Sequence, residues 1–219
     1  MVVLNAQDER CVAMAGRVPD GCEVMLVSTD PAQADYARHV QGGGRGMHLQ
    51  HDRLVLVQGA QRVVVAELRR LPFTLDGRAR HNVENALAAC ATLIGLGIAP
   101  ERVGPALSTF GLGVVHNPLR LNVFRAHGVM LFVDYAHNAA AYRALADTVR
   151  RLVPGRLIGV VTAPGDRRDD DLADIGRVCA GGFDELVLYE LDEWRGRLRR
   201  GQRDRIGQRD RSRAGLRSR

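Results

Sequence analysis

Three short clusters in this sequence combine residue types that binding and catalysis use. The first is DYAHN, where Asp134, Tyr135, His137 and Asn138 follow directly on the apolar run GVMLFV. A carboxylate, a phenol, an imidazole and an amide together can accept from and donate to a polar ligand. Asn138 is also well placed to cap the helix that follows it, a role worth about 1 kcal/mol. The second is APGDRRDDD (163–171), which sets Arg167 and Arg168 between acids that begin with Asp166. One reading is a salt-bridged surface loop; the other is a loop whose arginines face an anionic substrate while the acids orient them. The third is RHNVENALAA (80–89), where Asn82 and Asn85 share one face of a helix start beside His81. An asparagine amide presents a donor and an acceptor together and so suits a purine edge. GGGRG (42–46) has neither a preceding strand nor a following GK[ST] and reads as a flexible turn. No HExxH or GxSxG motif occurs, which disfavours zinc-protease and hydrolase chemistry. His116, His127 and Trp194 form no interpretable pattern.

The elements that must position these clusters follow from periodicity. VVLN, DERCVAMAGRV and CEVMLVS read as strand, helix, strand, and the alternating runs MHLQ, RLVLVQG and RVVVAEL read as antiparallel strands. HNVENALAACATLIGLG (81–97) and PERVGPALSTF (100–110) are predicted helices, the second opening on a proline. After the linker GLGVVHNP, LNVFRAHG and GVMLFVD are expected strands, then AAAYRALADTVRRLV a helix, RLIGVVTA a strand, DLADIGRVCAG a helix and ELVLYE a strand. Near-continuous apolar strands alternating with helices imply an α/β domain on a parallel sheet covered on both faces. Asp134, the turn at 163–166 and Glu190 then all fall at carboxyl ends of strands. Open parallel sheets bind ligands at that edge, because loops converge there and helix N-termini point at the ligand.

The chain has 219 residues, 46% of them hydrophobic, enough for one large domain or parts of two. No apolar run approaches the ~20 residues of a membrane span and the N-terminus is no signal peptide, so a cytoplasmic protein is expected. Cys11, Cys22, Cys90 and Cys179 lie at irregular spacings without a CxxC pair and read as reduced structural thiols. The net charge is +6, but residues 195–219 hold eleven arginines and two aspartates, +9, which leaves −3 for residues 1–194. The basic character belongs to a tail without apolar periodicity. Nucleic acid is therefore not the expected partner. No lysine occurs: all 31 Lys+Arg residues are arginine.

Taken in order, these segments resemble the Mur ligase superfamily, and within it the cyanophycin synthetases, over residues 1 to 201. VVLNAQDERCVAMA is similar to the Asn-x-Asp-Asp-Pro segment of the central domain, from which Gln7 and Glu9 depart. FTLDGRARHNVENALAA looks like the helix entering the adenine site, HNPLRLNVF like the Asn-Pro-Gly-Arg linker, and VDYAHNAAAYRAL like the Asp-Tyr-Ala-His-Asn-Pro motif that opens the C-terminal domain. APGDRRDDDL and FDELVLYELDEWRGR resemble the cyanophycin synthetases in particular.

The resemblance implies the C-terminal part of the central, ATP-binding domain at 1–112, a Rossmann-like C-terminal domain with a mainly parallel sheet at 113–198, and a disordered arginine-rich tail at 199–219. It also implies ATP-dependent amide-bond formation, in which a carboxylate is phosphorylated and an amine displaces the phosphate. In cyanophycin synthetases arginine joins the β-carboxylate of polyaspartate. Carried over by motif, His81, Asn82 and Asn85 border the adenine, Arg120 approaches the nucleotide and Asp134 accepts from the ribose hydroxyls. His137, Asn138, Asp166, Arg167 and Arg168 are candidates for the substrate pockets. ATP and Mg are the expected cofactors. The Mg ligands and the phosphate-binding loop are expected upstream, on a missing N-terminal part of the ligase that is the expected partner, alongside polyaspartate and arginine substrates. A homo-oligomer is compatible with the sequence.

Departures qualify the match. Leu119 replaces the glycine before Arg120, and since leucine rarely takes φ > 0 a different backbone is expected there. Ala139 replaces a helix-opening proline. With no lysine, no Walker or carbamylated lysine exists in this sequence, and a truncated or frame-shifted reading frame, inactive alone, is expected. The alternatives are a non-catalytic nucleotide- or partner-binding module and a fragment of a peptidoglycan or folylpolyglutamate ligase.

Overall fold

A computed structural model describes residues 1–189. Glu190, Trp194 and the arginine-rich tail lie outside the described residues. The chain divides into two compact units, Met1–Pro118 and Leu119 onward.

The first unit is built on a five-stranded sheet in the order β1 (Val2–Asn5), β2 (Val24–Ser28), β3 (Arg45–Gln50), β4 (Arg53–Gln58), β5 (Gln61–Glu67). β1, β2 and β3 are parallel, and β3, β4 and β5 are antiparallel. Side chains of a strand alternate between the two faces. Met25 and Val27 therefore enter the larger core, with Leu87, Cys90 and Ile94 of helix α3 (Arg80–Gly95) and Val103 of α4 (Pro100–Ser108). Leu26 faces the other way, into a smaller cluster with Leu4, Tyr36 and half-buried Cys11 and Val40, supplied by α1 (Glu9–Ala15) and α2 (Ala34–Gln41). Helix α2 has no counterpart in the periodicity reading, because ADYARHVQ buries only Tyr36. GGGRG is the turn from α2 into β3: Gly42 donates to Arg38 O at 3.0 Å, and Gly43 takes φ +90. All four cysteines are free thiols, and burial pushes those of Cys90 and Cys179 up to about 12.

The second unit contains a hairpin of β6 (Asn122–Ala126) and β7 (Val129–Val133), followed by α5 (Ala139–Leu152), β8 (Ile158–Val161), α6 (Asp169–Gly182) and β9 (Glu185–Leu188). The α/β expectation holds, with β8 and β9 parallel and joined through α6. Tyr142 and Cys179 from the two helices bury Val161 and Leu186 of those strands. One local expectation is corrected. GVMLFV does not enter a parallel sheet among the described residues; β7 pairs antiparallel with β6, Ala126 facing Val129. His127 and Gly128 both have positive φ, 50 and 77, as a two-residue hairpin turn requires, and so short a connection cannot make a parallel crossover.

Candidate functional site

In the first unit His81, Asn82 and Asn85 lie on the opening turns of α3, as the spacing predicts, with the backbone of Ala79 as N-cap. The Asn82 amide is engaged internally: its Nδ2 donates to Phe73 O at 2.7 Å, pinning the 3₁₀ turn Pro72–Thr74. Thr74 Oγ1, itself bonded to Leu71 O at 2.8 Å, locks the same turn. Asn85 Nδ2 approaches Asn82 Oδ1 at 3.4 Å, and Asn85 is exposed. Asn82 therefore shapes the helix entrance, and Asn85 is the amide at the surface. His81 is half-buried beside them.

The structure adds a residue that sequence reasoning missed. His116 stacks on Phe110, with ring centroids 6.4 Å apart and planes at 23°, and Phe110 meets Phe73 edge-on at 5.5 Å. Phe73 is the residue whose carbonyl holds Asn82, so an aromatic run reaches from the linker to the α3 entrance. Nothing in local spacing signals this; the imidazole becomes interpretable once the chain has folded back.

In the second unit Arg120 and Asp134 are brought together through backbone. Asp134 Oδ2 accepts from Leu121 N at 2.8 Å, Asn122 Oδ1 accepts from Leu119 N at 2.7 Å, and Leu119 O accepts from Tyr135 N at 2.7 Å. At Leu119 the backbone takes the φ > 0 conformation that leucine rarely adopts. Its φ is +59 and that of Leu121 is +50, so two leucines hold left-handed conformations on either side of Arg120. Such a conformation costs an L-residue about 1–2 kcal/mol. The three hydrogen bonds offset it, at about 1 kcal/mol each and about 2 for the one to the carboxylate. The Arg120 guanidinium lies 5.6 Å from the centre of the Tyr135 ring.

Beyond Tyr135, His137 Nδ1 lies 3.1 Å from Tyr135 O, and Asn138 caps α5 by accepting from Ala141 N at 2.8 Å. Asn138 has extended backbone, φ −146, as an N-cap should. Helix α5 ties this cluster to the next. Tyr142, one turn on, donates its hydroxyl to Thr162 O at 2.6 Å and lies 3.4 Å from Thr162 N, fixing the end of β8 where the 163–168 loop begins. Burial raises that hydroxyl to about 12, with smaller contributions from Cys179, Tyr189 and Asp134. Arg168 is the N-cap residue of α6, and its guanidinium makes two hydrogen bonds to Asp171, at 3.0 and 3.1 Å. That pairing holds the Asp171 carboxyl low, and Asp169, Asp170 and Asp171 all suit the positive end of the helix. For Arg168 the salt-bridged-loop reading describes the geometry; Arg167 is half-buried and Asp166 exposed. Among the described residues no group of three or more His, Cys, Asp or Glu is placed to hold a metal ion, and no helix is long and apolar enough to cross a membrane.

Residues 119–213 match the family described as Mur ligase, glutamate ligase domain. Over 197 residues, 90% of the chain, the sequence is 35% identical to a cyanophycin synthetase of Trichormus variabilis. Residues 119–213 thus carry a Mur ligase domain, and the chain is related in sequence to the cyanophycin synthetases. It spans 22% of the length of that synthetase. A second Mur ligase relative, the UDP-N-acetylmuramoyl-L-alanyl-D-glutamate--2,6-diaminopimelate ligase of Geobacter metallireducens, is 33% identical over 137 residues, 62% of the chain and 26% of the relative. Among solved structures, the bifunctional folylpolyglutamate synthase/dihydrofolate synthase of Yersinia pestis complexed with AMPPNP and Mn ion covers 94% of this chain and 46% of its own. Its TM-score is 0.54 at 17% identity, a likeness of fold.

Proposed function

We propose that this chain is part of an ATP-dependent amide-bond-forming ligase of cyanophycin synthetase type, joining arginine to the β-carboxylates of polyaspartate. ATP supplies the phosphoryl group that activates the carboxylate, and the arginine amine then displaces phosphate, losing a proton as the amide forms. The observation that carries the reading is the backbone clamp around Arg120, in which Asp134 accepts from Leu121 N and Tyr135 donates to Leu119 O, so that the segment bearing the cation is tied to the carboxylate-bearing end of β7. A guanidinium suits the phosphates by bidentate hydrogen bonding, and a carboxylate suits paired ribose hydroxyls. The residues fit a nucleotide in part. Arg120 and Asn85 are exposed and Asp134 is half-buried, whereas the Asn82 amide serves the fold. Asp166, Arg167 and His137 remain the candidates for the acceptor and amine pockets, with Asn138 capping α5 and Arg168 paired to Asp171 beside them. Support for cyanophycin synthetase over the peptidoglycan ligases comes from the alignment, which covers 90% of the chain for the former against 62% for the latter.

The absence of lysine from all 219 residues favours a division of labour. The phosphate-binding lysine and the Mg ligands come from another part of the ligase, and this chain alone binds nucleotide without turning it over. Calorimetry with ADP should detect binding that Arg120→Ala weakens about tenfold, the worth of a charge-assisted hydrogen bond. Phosphate release from ATP with Mg, arginine and a polyaspartate primer should stay at the blank. Robust turnover would contradict the division of labour, and ADP binding indifferent to both Arg120→Ala and Asp134→Ala would sink the nucleotide reading.

A further inference from the structure

Arg120 is exposed, yet three contacts within its own unit determine where it stands. The peptide before it is held by Tyr135 N donating to Leu119 O at 2.7 Å, and the peptide after it by Leu121 N donating to Asp134 Oδ2 at 2.8 Å. Leu119 N is held in turn by Asn122 Oδ1 at 2.7 Å, and Asn122 is buried, so the segment is anchored on the start of β6. The third contact is with the side chain itself, the Tyr135 ring under the guanidinium at 5.6 Å. The His137 ring leans on the Tyr135 ring at 5.6 Å and 55°, which limits the directions that ring can take. An arginine has many rotamers to lose when it captures an anion, and a side chain already resting on an aromatic face loses fewer.

We propose that Tyr135 is a positioning residue for Arg120. Its N–H fixes the linker peptide, and its ring face presets the guanidinium for the phosphate chain of a nucleotide. The proposal rests on the nucleotide reading of Arg120 given above. The ring face, not the phenol oxygen, does the holding, so phenylalanine should serve at this position and an aliphatic residue should not. Because Tyr135 is 52% exposed, replacing its ring leaves no core cavity, and the Tyr135 N–H bond survives any substitution except proline.

The test uses the full chain in four forms: wild type, Arg120→Ala, Tyr135→Leu and Tyr135→Phe. ADP affinity is measured by calorimetry, and the Arg120 δ-methylene protons are observed by NMR, with far-UV circular dichroism confirming the fold. Tyr135→Leu should weaken ADP binding about 2- to 5-fold, the equivalent of one exposed cation–π contact, while Tyr135→Phe should match wild type. The Arg120 δ protons should be shifted upfield by the ring in wild type and Tyr135→Phe and should lose that shift in Tyr135→Leu. Rescue by phenylalanine together with the ring shift is what a merely structural role would not produce. Wild-type affinity in Tyr135→Leu alongside weakened Arg120→Ala overturns the proposal and leaves the nucleotide reading intact. An Arg120→Ala chain that binds ADP as wild type does removes Arg120 from the nucleotide site and overturns the proposal too, and the nucleotide reading itself falls only if Asp134→Ala is equally without effect.

Discussion

Replacing Tyr142 by phenylalanine removes one oxygen and tests how the second unit holds its candidate substrate loop. Tyr142 is 5% exposed, and its hydroxyl bonds Thr162 O at 2.6 Å across twenty residues of sequence. The ring stays in Tyr142→Phe, so its packing with Val161, Ile175 and Cys179 is kept and no large cavity opens. What is lost is a hydrogen bond worth about 1 kcal/mol, and the half-buried Thr162 carbonyl is left unmatched at a further cost of about 1 kcal/mol. We expect about 2 kcal/mol of destabilisation in urea unfolding followed by circular dichroism, with an unchanged m-value, and faster exchange of the Thr162 amide. The pH dependence adds a second readout. Burial raises the folded hydroxyl to about 12, against 10.0 in the unfolded chain. The contribution is therefore present in full below pH 10 and is lost as pH rises from about 10 to about 12, so the variant should show a shallower alkaline fall than wild type. A loss below about 0.5 kcal/mol, with an unchanged alkaline limb, would refute the idea that this hydroxyl ties α5 to the 163–168 loop.

Leu119→Gly should raise stability by about 0.5 kcal/mol, because relief of the left-handed strain at φ +59 exceeds the extra entropy glycine loses; a loss above 1 kcal/mol in the same unfolding assay would mean the side chain, not the backbone, matters there. Asp134→Ala should cost about 2 kcal/mol by stranding the Leu121 N–H, and Asp134→Asn about half as much because it keeps an acceptor; equal thermal midpoints for the two would count against the clamp. In the first unit, burial lowers the pKa of His48, whose Nδ1 lies 2.7 Å from the Tyr36 hydroxyl. Its contribution is full above about pH 6.5 and is lost as pH falls below that, since the unfolded chain takes up the proton first. His48→Gln should flatten that acid limb of a stability-against-pH profile, and an unaltered limb would assign the loss to other groups.

Much of this was legible in the sequence, because it depends on local spacing. The three antiparallel strands, the helices α3 to α6 and the Asn138 cap follow from periods of 2 and 3.6 and from one capping residue. The motif order HNVEN, HNPLR, DYAHN and PGDRR was equally visible and pointed to the relatives that the chain matches. Helix α2 was not legible, since one buried tyrosine in eight residues gives no stripe. The pairing of β7 was misjudged because an apolar run reads alike in a buried parallel strand and in a hairpin, and only the His127–Gly128 backbone separates them.

The division at the site has the same cause. Sequence alone determined which side chains are present, including the absence of any lysine. Tertiary structure decided what those side chains face. It turned Asn82 inward to Phe73, stacked His116 on Phe110, gave Arg168 to Asp171 and set Arg120 on Tyr135. Each of these depends on where two stretches of backbone cross or turn, and leucines at positive φ show how far packing and hydrogen bonds can hold a backbone away from its local preference.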